Sequence, residues 1–262
     1  MKKSLLKSVA AAVVMIAAAG VVFAGGSKDD PLASIKKAGV LKVGVKEDVP
    51  HFGYLNPSTN VHEGFEIELA KAVAKKILGD ENKIAFTGVT AKTRGPLLET
   101  GEIDMVCATF TVTDERRKTY DFSTIYYTDA VQVMVKKAAG FTSFKDLNGK
   151  TIGVAQSATT KKSLDAGAAQ MGVAVKYAEF PTYPNIKAAL DSGRVDAFSV
   201  DRAILLGYMD DTVTLLPERF AEQPYGAALK KGNSALLEVV NGVIDDLQKS
   251  GELSKMLERN GL

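Results

Sequence analysis

The segment Ala108–Arg116, with the sequence ATFTVTDER, contains residue types that could bind one carboxylate group. It follows an apolar run typical of a buried strand and begins a short charged helix, so Thr109, Thr111 and Thr113 lie at a strand-to-helix turn. A helix start exposes backbone N–H groups and carries partial positive charge. The guanidinium of Arg116 could hold a carboxylate through two parallel hydrogen bonds. The alternative is a plain helix start, in which Thr113 is the cap and Arg116 is a solvated surface charge.

A seven-residue pattern occurs twice, 92 positions apart, at Leu98–Asp104 and Leu190–Asp196. Each copy predicts a helix that ends at a glycine and leads into an apolar strand. In this alignment Thr109 and Asp201 occupy equivalent positions, and both are expected at the carboxyl end of a strand. Arg116 on one side and Asp201 on the other would match the carboxylate and the ammonium group of a free amino acid. The alternative is a generic helix–glycine–strand connection, which is frequent in α/β proteins.

Strand and helix patterns alternate along the chain, which predicts an α/β fold with largely parallel sheets. The predicted strands are Leu41–Val45, Ile84–Val89, Asp104–Ala108, Val131–Val135, Thr151–Ala155, Ala174–Ala178, Asp196–Val200 and Gly226–Leu229. The clearest predicted helices are Phe65–Leu78, Thr160–Met171, Asn185–Leu190, Ala203–Met209 and Leu236–Lys249. Ligands of such sheets bind at the carboxyl ends of the strands.

The N-terminus has the pattern of a secretory signal peptide, residues 1–24, that is cleaved after Ala24. Lys2, Lys3 and Lys7 precede the apolar run Val9–Val22, and small residues precede the expected cleavage site. This run of 14 residues is too short to span a bilayer. We therefore expect a periplasmic protein, with the cell surface as a second possible location. Removal of the leader would change the formal net charge from +2 to −1, so no nucleic acid partner is expected.

The sequence offers no constellation for covalent or metal-based catalysis. Cys107 is the only cysteine and lies in an apolar strand, so we expect a core thiol rather than a nucleophile. With His51 and His62 as the only histidines, no metal-ligand cluster is visible. Neither a nucleophile elbow nor a phosphate-binding loop of the usual spacing occurs. We expect no metal, no cofactor and no enzymatic activity.

Several motifs resemble the polar amino acid solute-binding proteins of ABC transporters. They are DERRKTYDFSTIYY, GVAQSATTKKSL and VDAFSVD. The segments KEDVPHFGYL, AKTRGPLLETG and EFPTYPNIKAALD are most similar to the aspartate/glutamate-binding subgroup, one member of which is also known as a surface antigen and adhesin. The resemblance covers residues 30–262 and implies the type II periplasmic binding protein fold. It also implies a monomer that delivers its ligand to a membrane permease.

In that fold two lobes, each with a central mixed, mostly parallel sheet flanked by helices, are joined by a two-segment hinge. The first lobe would comprise residues 29–126 and 226–262, and the second residues 131–221. The hinge would lie near residues 126–130 and 222–226. Ligand contacts from both lobes would stabilise a closed form.

The resemblance also implies a role for individual residues. Arg116 would bind the ligand α-carboxylate with help from Thr111, and Asp201 would bind the α-ammonium group together with Thr109. Further ligand contacts are implied for Thr159, Tyr183 and Tyr225. Thr159 could instead be a simple helix cap, and either tyrosine could serve only in packing.

Two further cations, Lys46 and Arg94, are expected in the same cleft and favour an acidic ligand. With Arg116 they would outnumber Asp201 by two charges, and burying unmatched cations costs several kcal/mol per ion, so aspartate or glutamate is the preferred ligand. The alternative for both Lys46 and Arg94 is a surface cation.

The sequence is also compatible with other functions. The chain could bind another polar amino acid such as glutamine, with a secondary adhesin role. A dehydratase of the same fold would need a general acid in the cleft, for which Glu66 and Glu68 are the candidates. We expect both to be exposed or capping residues at a helix start.

Overall fold

The structure, a computed structural model, describes residues 30–262, so the predicted leader and its cleavage site lie outside the described residues. The helices are α1 Pro31–Ala38, α2 Phe65–Leu78, α3 Arg94–Thr100, α4 Asp114–Thr119, α5 Thr160–Met171, α6 Tyr183–Asp191, α7 Arg202–Leu206, α8 Ser234–Lys249 and α9 Glu252–Arg259. The strands are β1 Leu41–Val45, β2 Asp48–Val49, β3 Gly53–Asn56, β4 Val61–Glu63, β5 Ile84–Gly88, β6 Met105–Cys107, β7 Tyr120–Phe122, β8 Tyr127–Lys136, β9 Thr151–Ala155, β10 Lys176–Phe180, β11 Ala197–Asp201, β12 Val213–Leu215, β13 Phe220–Tyr225 and β14 Ala228–Lys230. Within this range no helix is both long and apolar enough to cross a bilayer.

Two mixed sheets form the centre of the molecule. The first has the order β5-β1-β6-β14-β7, in which β1 is parallel to β5 and β6 while β14 is antiparallel to β6 and β7. The second has the order β10-β9-β11-β8-β12, in which β9 is parallel to β10 and β11 while β8 is antiparallel to β11 and β12. The predicted two-sheet α/β architecture is confirmed. Antiparallel pairs are more frequent than expected, because returning strands extend each parallel core.

The two sheets draw on separate parts of the chain. Strands of the first sheet come from residues 41–122 and 228–230, and those of the second from residues 127–225. Where the chain passes between them, β8 and β13 run side by side, with Tyr127 opposite Tyr225 and Asp129 opposite Gln223. The lobe boundaries and the hinge stay predictions.

Both copies of the repeated pattern form the same local structure. In each copy, an aspartate carboxylate accepts a hydrogen bond from a backbone N–H of the neighbouring parallel strand. The distances are 2.8 Å from Lys42 N to Asp104 Oδ2 and 2.9 Å from Thr151 N to Asp196 Oδ2. In return, the N–H of Asp104 donates to the carbonyl of Lys42, and the N–H of Asp196 donates to the carbonyl of Thr151. Each turn also contains a glycine in the left-handed conformation: Gly101 (φ 79°) and Gly193 (φ 74°). The repeated sequence pattern therefore corresponds to a repeated local structure.

Some predicted boundaries move for local reasons. Helices α2 and α5 have the predicted limits, since each ends at a left-handed glycine cap. Strand β10 begins two residues later than predicted, because Ala174 makes turn hydrogen bonds with Asn148 and Gly149. Helix α7 ends early at Gly207, where a β-carbon would lie only 3.0 Å from Pro50.

Candidate functional site

Several charged residues of the predicted site, Lys46, Arg94, Arg116 and Asp201, lie around Tyr183, the first residue of α6. Its ring centroid lies 4.7 Å from Lys46 Nζ, and its backbone N–H donates to Asp48 Oδ2 at 3.3 Å. Tyr183 is 4% exposed. Burial raises the pKa of its phenol, the charge of Asp201 raises it further, and that of Arg94 opposes the change. Tyr183 thus lies among cations of the first sheet and the carboxylate of the second.

A strained turn follows β6 and presents Thr109. This β-branched residue has a φ of 44°, a left-handed conformation that L-residues with branched side chains rarely adopt. Its N–H donates to both carboxylate oxygens of Glu66, at 2.7 and 3.0 Å. On the other side of the turn, Arg94 Nη1 donates to the carbonyls of Ala108 (2.6 Å) and Thr109 (3.1 Å). Within residues 30–262, the buried atoms Thr109 Oγ1 and Arg94 Nε have no hydrogen-bond partner, so both keep their hydrogen-bonding capacity.

Arg116 extends from the first turn of α4 towards the second sheet. Thr113 caps this helix, as the plain helix-start alternative expected, since its hydroxyl accepts from Arg116 N at 3.1 Å. The guanidinium is not a solvated surface charge: Nη1 donates to Thr111 O at 2.8 Å and Nη2 to Ser157 O at 3.3 Å. Burial lowers the pKa of Arg116 to about 9, and repulsion from Arg94 adds to the effect. At neutral pH the side chain is therefore a cation that an anion would stabilise.

The two arginines share one aromatic neighbour. The Cζ atoms of Arg94 and Arg116 lie 4.0 and 4.6 Å from the ring centroid of Phe110. The negative face of an aromatic ring attracts guanidinium groups. Phe110 thereby offsets part of the repulsion between two cations that lie close together.

Asp201 ends β11 and is 5% exposed. Burial raises the pKa of its carboxyl to about 7, opposed by the hydrogen bond that Tyr225 donates to Oδ2 and by attraction to Arg94. Tyr225 is fully buried and its phenol binds Asp201. The structure therefore brings Asp201 near the arginines and gives Tyr225 a role as its hydrogen-bond donor.

The hydroxyl groups of Thr111 and Thr159 have a different partner from the expected one. Both donate to Gln223 Oε1, at 2.9 and 2.7 Å, so neither proton is left for a ligand carboxylate. The plain capping role for Thr159 is wrong as well, because its side chain makes no capping hydrogen bond. Gln223, 2% exposed in β13, thus connects the turn after β6 with the start of α5. A ligand contact through the backbone N–H groups of either threonine stays a prediction.

Lys46 is buried, and its charge is already matched. Its side chain is 3% exposed, so the surface-lysine alternative is wrong. Nζ lies 2.8 Å from Asp48 Oδ1 and donates to Val89 O at 3.3 Å. Burial lowers the pKa of Lys46, and the neighbouring Asp48 opposes this change. The predicted excess of two positive charges is therefore wrong, since the count left out Asp48 and the carboxyl of Glu66.

Glu66 is completely buried, contrary to the expectation of an exposed or capping residue. Besides the N–H of Thr109, its carboxylate accepts the phenol proton of Tyr126. Burial raises the pKa of Glu66 to about 7. Cys107 lies beside this pair, and burial raises the pKa of its thiol well above the ordinary value, as expected for a core thiol. Glu68 points elsewhere and accepts hydrogen bonds from Arg259 and Asn260.

Two residues of this cluster, Asp48 and Gln223, were not predicted as part of the site, and Glu66 was named there only as a candidate general acid of a dehydratase. Asp48 could have been found, because it lies two residues after Lys46, which directly follows β1. Glu66 carried an ambiguous signal at a helix start. For Gln223 there was no sequence signal, since nothing in its sequence neighbourhood indicates that two threonines from distant segments donate to it.

Two cavities adjoin the cluster on different sides. One of about 240 Å³ is lined by Asp48 and Val89 from the first sheet side and by Thr182 and Pro184 from the second. The other, of about 270 Å³, adjoins Thr111, Thr159 and Gln223. A larger cavity of about 570 Å³ contains none of the predicted site residues. Among the described residues, no group of three histidine, cysteine or acidic side chains could hold a metal ion.

Residues 41–261 match the family described as bacterial extracellular solute-binding proteins, family 3. The ABC transporter glutamine-binding protein GlnH of Bacillus subtilis (strain 168) is 38% identical over 256 residues, which cover 95% of this chain and 92% of that protein. The glutamine-binding protein of Geobacillus stearothermophilus is 43% identical over 203 residues, 76% of each chain. An L-glutamate/L-aspartate-binding protein of Pseudomonas aeruginosa is 29% identical over 239 residues, 87% of this chain and 78% of that protein.

Solved structures show the same relationship. An ancestral arginine-binding protein bound to glutamine superimposes with a TM-score of 0.76 at 37% identity, covering 85% of this chain and 98% of that one. The two glutamine-binding relatives above are more similar to the chain than the glutamate/aspartate-binding one, so the predicted subgroup is not supported. The match over residues 41–261 and the identity and coverage of these relatives show that the chain belongs to the bacterial extracellular solute-binding proteins, family 3.

Proposed function

We propose that the protein captures a free polar L-amino acid for an ABC importer, with L-glutamine as the preferred ligand. The observation that carries this proposal is the placement of Arg94 and Arg116 near Asp201, which lies at the end of the second sheet. Arg94 is buried and Arg116 half-buried, and two like charges so placed favour an α-carboxylate, whereas the buried carboxylate of Asp201 favours an α-ammonium group.

The pair Lys46–Asp48 supports a neutral side chain over an acidic one. A carboxamide can accept a hydrogen bond from the ammonium group of Lys46 and donate one to the carboxylate of Asp48. Within the described chain, Asp48 Oδ1 has no aligned hydrogen bond, although Lys46 Nζ lies 2.8 Å away. A ligand carboxylate at this place would instead be repelled by Asp48. Glutamine therefore fits the charges better than aspartate or glutamate, which were the ligands expected from the sequence.

The proposed mechanism is closure of two lobes around the ligand. We propose the first lobe as residues 29–126 with 226–262, the second as residues 131–221, and the hinge near residues 126–130 and 222–226. Strands β8 and β13 pair within the second sheet, and the chain enters that sheet at the start of β8 and leaves it at the end of β13, which supports this division. The protein would act as a monomer in the periplasm and present its closed form to a membrane permease. Small-angle X-ray scattering with and without L-glutamine would test the closure.

A dehydratase activity finds less support. Glu68 makes hydrogen bonds with the C-terminal helix region, and both oxygens of Glu66 accept hydrogen bonds from the protein itself. A general acid needs a proton within reach of the substrate. Assays with prephenate-like substrates would reveal any turnover.

The direct test is calorimetric titration of the leader-free protein with glutamine, glutamate, aspartate, arginine and lysine. We expect one glutamine per chain with a Kd on the order of 1 µM or lower. Glutamate should bind at least about tenfold more weakly, a difference of about 1.4 kcal/mol. Tighter binding of glutamate or aspartate than of glutamine would refute the proposed preference, and the absence of any amino acid binding would refute the function.

Asp48→Asn sharpens this test. Removal of the negative charge leaves Lys46 unpaired, so the preference should move towards glutamate by about tenfold or more. Glu47→Gln is the matched control, because the adjacent carboxylate binds His62 at 2.9 Å and makes no ion pair with Lys46. An unchanged ratio of glutamine to glutamate affinity in Asp48→Asn would show that the Lys46–Asp48 pair does not discriminate between the ligand side chains.

A further inference from the structure

We infer that Glu66 is a positioning residue, which fixes the left-handed turn at Thr109 and thereby aims that residue at the ligand. This inference rests on the proposed function, because it deepens the account of the same site. It concerns a residue that does not itself need to contact the ligand.

Glu66 is held rigidly in the first turn of α2. The helix begins after Gly64, whose φ is 119° and whose β-carbon, if present, would lie 2.4 Å from the carbonyl oxygen of Phe52. This close approach lets the Glu66 N–H donate to that same carbonyl at 2.9 Å. A carboxylate in the first turn of a helix is also favoured by the helix dipole. The position of the Glu66 backbone is therefore set by elements outside the site.

The turn that Glu66 contacts would be unfavourable on its own. Thr109 has a branched β-carbon and a φ of 44°, a combination that persists only where the surroundings impose it. Glu66 accepts from its N–H with both oxygens, while Arg94 donates to the carbonyls of Ala108 and Thr109. An anion and a cation thus hold the same short piece of backbone from opposite sides.

With its backbone held by Glu66 and Arg94, Thr109 presents its side chain on the site side of the turn. The hydroxyl oxygen of Thr109 is buried and has no partner within residues 30–262. The Glu66 oxygens, by contrast, already accept from Thr109 N and from the phenol of Tyr126. Glu66 consequently acts through Thr109 rather than on the ligand.

Because Glu66 can change its charge state, the ligand affinity should depend on pH. Facing groups are Tyr126 and Cys107 on one side and the cations Arg94 and Lys46 on the other. Burial raises the pKa of Glu66 to about 7. Deprotonation frees both oxygens as acceptors for Thr109 N, so affinity should rise between pH 6 and pH 8.

The first experiment measures L-glutamine affinity and thermal stability in Glu66→Met and Glu66→Gln. Glu66→Met removes both acceptors and should lower the affinity about tenfold or more. Glu66→Gln keeps one acceptor oxygen, so it should lose less affinity, and the part of the affinity change between pH 6 and pH 8 that Glu66 contributes should disappear. Val73→Ala, at a fully buried position of the same helix, is the control for lost stability alone. It should leave the affinity within about twofold of wild type.

Affinity within twofold of wild type in Glu66→Met, or equal losses in Glu66→Met and Val73→Ala at equal loss of stability, would overturn the inference. A second measurement needs no ligand. The Thr109 amide proton, bonded to a carboxylate at 2.7 Å, should resonate downfield in the wild type and move upfield in Glu66→Gln. The same resonance position in both proteins would contradict the role of Glu66 in holding the turn, whereas lack of glutamine binding by the wild type would refute only the proposed function.

Discussion

The two halves of the molecule use the same helix–glycine–aspartate connection but end it differently. In both, a left-handed glycine and an aspartate that binds the neighbouring strand lead the chain into a buried strand. The strand of the second sheet ends in a carboxylate, Asp201, whereas the first continues into the turn at Thr109. The first sheet has no carboxylate of its own at this place and receives Glu66 from helix α2.

Each of the two carboxylates binds a tyrosine from the region where the chain passes between the sheets. Glu66 accepts from Tyr126 and Asp201 from Tyr225, and burial raises the pKa of both carboxyls to about 7. They differ in the acceptor capacity that remains. Both oxygens of Glu66 accept from the backbone, whereas one oxygen of Asp201 accepts no hydrogen bond within the described chain. The hydrogen bonds already made, and not the residue type or the pKa, distinguish the two carboxylates: those of Glu66 suit the positioning role inferred above, and the remaining acceptor capacity of Asp201 suits the proposed ligand contact.

Asp201→Asn should have the largest effect on the ligand. Loss of one partner of a buried charge pair costs 2–5 kcal/mol or more, so the glutamine affinity should fall by about a thousandfold. The unfolding free energy should rise, because at pH 7 the protein no longer has to bury the ionised form of a carboxyl whose pKa is raised to about 7. Calorimetry and urea unfolding measure the two quantities. A variant that loses stability but keeps its affinity would assign Asp201 the structural role instead.

The unfolding free energy without ligand should depend on pH through both carboxyls. Between pH 4 and pH 7 the folded state holds protons that the unfolded state has lost, so stability falls as pH rises and levels off above pH 7. Shifts of this size correspond to a few kcal/mol for each group.

Urea unfolding at a series of pH values should show that Glu66→Gln and Asp201→Asn each remove part of this slope. Saturating glutamine should remove most of the Asp201 part, since that carboxylate gains a cationic partner. It should also remove a smaller part of the Glu66 contribution, because a ligand that binds better when Glu66 is deprotonated lowers the pKa of Glu66. A slope that both variants leave unchanged would be incompatible with raised pKa values for these two groups.

The smallest expected effects concern the shared connection itself. Asp104→Asn and Asp196→Asn each weaken one hydrogen bond from a backbone N–H to a carboxylate, which costs about 1–2 kcal/mol of unfolding free energy. The two losses should agree within about 0.5 kcal/mol and add in the double variant, because the aspartates lie in different sheets. Glutamine affinity should stay within about twofold. Unequal losses in urea unfolding would show that the two connections are alike in form only.

Local features of the fold were predictable from sequence because local residues determine them. Helices α2 and α5 end where Gly79 and Gly172 adopt the left-handed conformation, and the repeated pattern contains the glycine and the aspartate that build its turn. Helix α1 and the small sheet of β2, β3 and β4 were not predicted, since short elements leave few periodic positions to recognise.

Charge balance in the site was less predictable, because it depends on side chains that the fold brings together. Lys46 was assigned an unmatched charge although Asp48 follows two residues later. Only the course of the chain after β1 shows that the two side chains meet at 2.8 Å. Burial of Glu66 likewise depends on Tyr126, which is 60 positions away. A sequence shows which charges are present, but their pairing is a property of the tertiary structure.

The buried position of Cys107 makes the protein convenient for site-specific labelling. Its thiol is the only one in the sequence, is fully buried and has a raised pKa, so maleimide reagents will react slowly with it. Cysteines introduced at two exposed positions, Val61 on the side of the first sheet and Met209 on the side of the second, would react much faster than Cys107. Dyes at both positions would convert any relative movement of the two sheets into an optical signal, which would make the protein an optical reporter for its ligand.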